Sequence, residues 1–184
     1  MVTVMMGWPE PELGFPEGLA PDDYDRIAEV THKTQKAKLL NDSLGICWFA
    51  QMGIPGALKF QTGCLEAATG LSLTPEEALD AGERIVVLQR LITNYLGYVP
   101  EDDFDMGARM FEKIACGTAA GRGFTRDEFR RLRDEFYTMK GWSLATGVPS
   151  DEALERVGLA GYEVGAAARA SDLDVGTEMR EGRS

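Results

Sequence analysis

Leu73-Thr74-Pro75-Glu76-Glu77 marks a helix start more clearly than any other stretch of the 184-residue chain. The Thr74 hydroxyl can accept from the backbone three residues on, and Glu77 can reach back to Thr74. Pro75 takes the first helical position, where no N–H is needed. Beyond it Ala78, Gly82, Ile85, Val86, Gln89, Ile92, Tyr95 and Leu96 share one broad face, and Leu79, Leu88 and Leu91 widen it until little of the helix is polar. Gly97 and Pro100 end it. A helix apolar nearly all round predicts a bundle with this element at its centre.

Working outward, Phe124-Thr125-Arg126-Asp127-Glu128-Phe129 repeats the signal: a capping box from Thr125 to Glu128 and an apolar staple from Phe124 to Phe129. Phe129, Leu132, Phe136 and Met139 form its stripe, with Arg126, Arg130, Arg131 and Arg133 outside and Gly141 as the stop. Before the central helix, Asp22-Asp23 supply a cap. Ile27, Val30, Thr34, Ala37 and Leu40 then predict a helix over 23–41. A shorter one over 57–69 closes at Gly70, and Cys64 reads as packing within it. A short helix over 105–115 would turn Met106, Met110, Phe111 and Ile114 inward. Ser150 caps a last one carrying Leu154 and Val157, stopped by Gly158. With no strand signal, the fold class is all-α, an irregular bundle of five or six helices. Residues 1–21, dense in Pro and Gly, read as an extended arm, or equally as a loop packed on its own domain. Residues 22–162 form the helical domain and 163–184 a frayed tail.

Charge and cysteine count narrow the function. A formal net charge of -11 and no basic patch exclude nucleic acid as a partner. No apolar run reaches the roughly 18 residues of a membrane helix, and no export leader opens the chain, so a cytoplasmic protein is expected. Cys47, Cys64 and Cys116 lie far apart, which argues against a disulfide framework or a self-contained zinc site. Three thiols also cannot supply the four ligands of an iron–sulfur cluster. His32, the single histidine, reads as a surface or partly buried helper rather than a catalytic acid. Glu101 to Asp105 lacks the spacing of a calcium loop. Gly117 to Gly123 lacks the Lys-Ser/Thr ending and preceding strand of a phosphate loop.

After the first helix comes Asp42-Ser43-Leu44-Gly45-Ile46-Cys47, a carboxylate and a thiol five positions apart with a glycine between them. An ionised carboxylate can meet the N–H edge of a pterin with paired, charge-assisted bonds. A thiolate can ligate iron, and Gly45, free to take positive φ, can turn the chain so that the two face neighbouring groups. The same residues also fit a helix-end aspartate and a cysteine packed as a small hydrophobe. Trp48 and Phe49 could shield a cluster or be plain core.

Asp-x-x-Gly-[Leu/Ile]-Cys at 42–47 is followed by Ala67-Ala68-Thr69-Gly70, Gly82-Glu83-Arg84-Ile85, Gly141-Trp142 and Thr146-Gly147-Val148-Pro149. From about Met5 to Tyr162 this order resembles the C-terminal part of the aldehyde ferredoxin oxidoreductase family. Those enzymes carry tungsten held by a pair of pterins, and one 4Fe-4S cluster. The resemblance implies that Asp42 binds a tungstopterin (or molybdopterin) and that Gly45 and Ile46 hold the turn, lending backbone groups. It implies that Cys47 is the fourth cluster ligand, the other three coming from an upstream cysteine motif that these 184 residues do not contain. The chain would then be the C-terminal portion or a subunit of an enzyme oxidising aldehydes to carboxylic acids, inactive alone. Its partners would be the N-terminal part or a companion subunit and a ferredoxin-like acceptor. The alternative is a cofactor-free helical assembly module derived from that family. Val86-Val87-Leu88-Gln89 and the loop at 117–123 depart from the family pattern, which bears on partner and substrate more than on fold.

Overall fold

The structure, a computed structural model, describes residues 13–14, 24–47, 49, 56–118 and 120–162. The expected arm, apart from Leu13 and Gly14, and the expected tail lie outside them. Among the described residues five α-helices run in order: α1 (Ile27–Ser43), α2 (Ala57–Thr69), α3 (Pro75–Tyr95), α4 (Arg126–Lys140) and α5 (Asp151–Arg156). Short 3-10 turns cover Tyr24–Arg26, Pro100–Phe104 and Ala108–Phe111. Among the described residues there is no sheet, only one isolated bridge between Trp142 and Pro149. The class is all-α. The chain divides into two compact units, Met1–Leu88 with Glu155–Ala160, and Gln89–Leu154 with Gly161–Ser184.

In the first unit Val30, Ala37 and Leu40 of α1 pack with Leu58 of α2, Ala78 of α3 and Leu13, flanked by Leu44, Leu73 and Leu79. The capping box read for α3 forms as written: Thr74 N donates to Glu77 Oε2 at 2.8 Å and Glu77 N to Thr74 Oγ1 at 3.2 Å. Asp22 and Asp23, expected to cap the first helix, lie outside the described residues, and α1 starts only at Ile27, after Arg26, with no side-chain cap bond. α2 ends at Gly70, whose φ of +75° is a left-handed cap. α1 and α3 approach so closely at Gly82 that a Cβ there would lie 2.2 Å from the Lys36 carbonyl oxygen. Beside that contact the buried Glu83 carboxylate stands 4.0 Å from Lys36 Nζ. Cys64 departs from expectation. α2 buries Ala57, Leu58, Gln61 and Thr62, and Cys64 falls off that face and is exposed.

In the second unit α4 starts at the Thr125 capping box and stops at Gly141, φ +71°. Its inner face is turned from the predicted one: Leu132, Tyr137 and Lys140 are buried, whereas Met139 is exposed. Arg133, expected outside, is covered and donates to the Pro100 carbonyl at 2.9 Å while lying over the Phe104 ring. The helix expected over 105–115 is replaced by one short 3-10 turn at Ala108–Phe111, preceded by another at Pro100–Phe104, and Met110 and Ile114 are exposed. Asp102 draws the segment into the first turn by accepting from Val99 N at 2.8 Å, and Gly107 interrupts any continuation. Phe104, Phe111 and Phe129 then pack as an aromatic trio, with edge contacts at 5.2 and 5.8 Å. α3 is also less enclosed than its sequence suggests, since Ile92, Tyr95 and Leu96 are exposed.

Arg90 of α3 organises this unit. Its Nε donates to Gly147 O at 2.8 Å and its Nη2 to Tyr137 Oη at 2.6 Å, and the guanidinium lies 5.0 Å from the centroid of the Trp142 ring. Tyr137 Oη donates to Asp103 Oδ2 at 2.6 Å, and Tyr98 Oη donates to the other oxygen at 3.2 Å. Gly147 is required here: at φ +70°, a Cβ would lie 1.7 Å from Arg90 Nη2. Gly147→Ala is expected to cost about 2 kcal/mol, from left-handed strain plus the displaced guanidinium bond, read as a lower urea midpoint. An unchanged midpoint would mean that Arg90 does not pin this turn.

The same cluster sets a pH limit. Burial first, then the Asp103 carboxylate, push the Tyr98 phenol from 10.0 up to about 12, and burial with the bond to Asp103 raises Tyr137 in the same direction. A phenol that keeps its proton longer in the folded state than in the unfolded chain favours folding fully below the unfolded value. That contribution is lost as pH rises through the folded one. Stability is therefore expected to fall between about pH 10 and 12, where the raised Tyr98 value lies. Urea midpoints across that range should lose most of the slope in Tyr98→Phe and Tyr137→Phe.

Candidate cofactor corner

α1 delivers the corner. Ala28, Val30, Thr34, Ala37, Leu40 and Asn41 face inward, so the helix packs as far as its last turn, and Asp42 and Ser43 emerge on the outer side. The stop is a glycine-dependent reversal. Gly45, at φ +67°, donates to Asp42 O at 3.1 Å, and Ile46 N donates to Asn41 O at 3.3 Å. These two bonds form the paired arrangement of a Schellman cap, which satisfies the last carbonyls and turns the chain away from the helix axis. A residue with a Cβ would strain this φ, although the space around Gly45 is open.

Cys47 comes out of that reversal exposed, and Phe49, two residues on, is 67% exposed. Neither is core. Trp48 lies outside the described residues. The Asp42 carboxylate is also at the surface, side chain 47% exposed, and pairs with Lys38 one turn earlier on α1. Such a surface pair within one helix contributes only a few tenths of a kcal/mol. It holds the carboxylate in place without making it unavailable to a better set of donors.

The structure thus brings Asp42, Gly45, Ile46 and Cys47 into one exposed turn. The chemistry of that set suits an open half-site: one accessible thiol for a metal, one accessible carboxylate for an N–H edge. Among the described residues no group of three or more His, Cys, Asp or Glu could hold a metal ion. Cys64 and Cys116 are exposed elsewhere and His32 is half-buried on α1.

Sequence reasoning missed what stands behind the turn. Asn41 is completely buried, and its Nδ2 donates to the Ile46 carbonyl at 2.8 Å. Gln61 of α2, equally buried, donates from Nε2 to Asn41 Oδ1 at 3.4 Å. An asparagine at helical spacing from Thr34 and Ala37, immediately before Asp42, was the available signal. Nothing in sequence pairs it with a residue twenty positions on.

The chain matches the family described as "Aldehyde ferredoxin oxidoreductase, domains 2 & 3" over residues 3–159. It is similar to the tungsten-containing aldehyde ferredoxin oxidoreductase of Pyrococcus furiosus, 30% identical over 151 residues, covering 82% of this chain and 24% of the relative. The enzyme of the same name from Thermococcus kodakarensis is 28% identical over 154 residues, with the same coverage of 82% and 24%. The chain therefore spans about a quarter of the length of these relatives. No described helix is long and apolar enough to cross a membrane.

Proposed function

The chain belongs to the aldehyde ferredoxin oxidoreductase family, and from that premise we propose that it forms the C-terminal part, or a separately encoded subunit, of a tungsten- or molybdenum-pterin iron–sulfur oxidoreductase. The reaction is oxidation of an aldehyde with water to a carboxylic acid, releasing two electrons and two protons, with the electrons passed to a ferredoxin-like acceptor. The observation that carries the reading is the exposed Cys47, presented five residues after an exposed Asp42 by a glycine cap, within the stretch that the family model covers.

When bound, the metal–pterin group and its cluster supply the two-electron chemistry and the one-electron exit. This chain's residues have simpler tasks. Asp42, released from Lys38, accepts hydrogen bonds from the pterin edge. Cys47, as the thiolate, provides one of four cluster ligands, the other three coming from a segment that precedes this one in the family's order. Gly45 and Ile46 fix the turn between the two, and Phe49, exposed two residues on, would help exclude water from the thiolate's surroundings once the complex forms. No acid or base is assigned within the chain.

The test is metal analysis of the purified chain alone and of its complex with a polypeptide carrying a C-x-x-C-x-x-x-C motif. Iron together with tungsten or molybdenum is expected in the complex only. A complex without metal would overturn the proposal and leave a cofactor-free helical assembly module.

A further inference from the structure

We propose that Asn41, braced by Gln61, is the positioning residue of the corner. It fixes the peptide plane from which Cys47 departs, and so the direction in which the thiol is offered. The proposal rests on the functional reading above, in which Cys47 is the ligand, but its first test does not.

Both polar groups of the Ile46 backbone end on Asn41. Ile46 N donates to the Asn41 carbonyl at 3.3 Å, and the Ile46 carbonyl accepts from Asn41 Nδ2 at 2.8 Å. The second bond matters for the thiol. The Ile46 carbonyl shares a rigid peptide plane with the Cys47 N–H, so holding that oxygen fixes the plane on which the Cys47 Cα is set. The Schellman cap uses the first of these together with the Gly45 N bond to Asp42 O, and does not need the second. The side-chain bond is additional, and it acts three residues past the end of α1 at Ser43, where the chain would otherwise be free to pivot.

The direction of the amide is determined by its surroundings. A carbonyl oxygen only accepts, so the Asn41 atom facing Ile46 O must be the NH₂, which turns Oδ1 toward the Gln61 Nε2 donor. Asn41 and Gln61 are both completely buried, on α1 and α2 of the same unit. Burying an amide is unfavourable unless it is hydrogen-bonded, and an apolar residue at position 41 would continue the inward stripe of Val30, Thr34 and Ala37 more stably. A polar pair placed there orients the turn rather than filling the core. Cys64 and Cys116 have no comparable brace among the hydrogen bonds described.

The experiment is hydrogen exchange on the chain itself, comparing Asn41→Ala with the unaltered protein. Exchange at Gly45 and Ile46, whose amides are bonded, is expected to rise about tenfold, with α4 of the other unit unchanged. Gln61→Met leaves the Asn41 side chain intact and removes its brace, and should give a smaller rise, about threefold, confined to the same residues. No rise in either variant would overturn the proposal, as would an equal rise across all helices, which marks a purely structural role. Should Asn41→Ala not fold, Gln61→Met alone decides by the same criterion. In the metal-bearing complex, Asn41→Ala is expected to retain iron while shifting the cluster's electron paramagnetic resonance g values. An unshifted spectrum with full iron would overturn the link to the thiol. A complex without iron in its unaltered form would instead overturn the functional reading, leaving the exchange result intact.

Discussion

Cys47→Ser is expected to remove most of the iron from the assembled complex and to lower aldehyde-dependent reduction of the acceptor by roughly 100-fold or more. Altering a residue that merely orients a ligand commonly costs 10–100-fold, and here the ligand atom itself is lost. Thiolate sulfur is the donor that iron–sulfur clusters select, and a serine hydroxyl at neutral pH is neither as soft nor as readily ionised. The fold is not at stake, because Cys47 is exposed and lies beyond the last turn of α1, where substitutions change stability by less than about 0.5 kcal/mol. Cys64→Ser and Cys116→Ser supply the comparison. Both thiols are exposed as well, so a general sensitivity to losing surface sulfur would appear in all three variants. Iron and activity are expected to fall in Cys47→Ser alone. Full iron content in that variant would mean that the cluster draws its ligands from elsewhere.

Local chemistry accounts for what could be read from the chain. The starts of α3 and α4 were legible because each capping box lies within four residues, and the ends of α2 and α4 because a glycine sits where a left-handed residue is needed. The turn after α1 was legible for the same reason: Asp42, Gly45 and Cys47 lie inside six consecutive positions. Where the outcome depended on partners far along the chain, sequence was silent. Arg133 is drawn inward by the Pro100 carbonyl, thirty-three residues away. Arg90 is set by Gly147 and Tyr137, more than forty-five residues on. Cys64 was read as packing because its neighbours in sequence are apolar, but α2 turns a partly polar face inward, with Gln61 and Thr62 on it. Asn41 belongs to this group, since its partner in α2 is what marks it as more than a helix residue.

Gly82→Ala should destabilise the protein by about 3 kcal/mol, although alanine is the better helix former by about 1 kcal/mol. The two effects have opposite signs, and distance decides between them. A Cβ on Gly82 would stand 2.2 Å from the Lys36 carbonyl oxygen, 2.9 Å from its carbon and 3.2 Å from its Cα. All three are backbone atoms of α1, so no rotamer change relieves the contact, unlike the clash at Gly147, where a flexible arginine can withdraw. The helices would have to separate by about 1 Å. In a close-packed interior that forfeits part of every dispersion contact along the crossing. Gly63→Ala provides the opposite case. Gly63 is also mid-helix, in α2, but a Cβ there meets nothing within 4 Å, so the same substitution is expected to stabilise by up to about 1 kcal/mol. Urea unfolding of the two variants should move the midpoint in opposite directions at similar slope. Equal shifts would show that α1 and α3 do not meet at Gly82. The consequence reaches the corner, because α1 ends in Asp42 and Ser43 and is held by this crossing. Gly82 opens the Gly-Glu-Arg-Ile stretch that the family resemblance picked out, and its physical role is to let the helix that delivers the site lie against the helix that supports it.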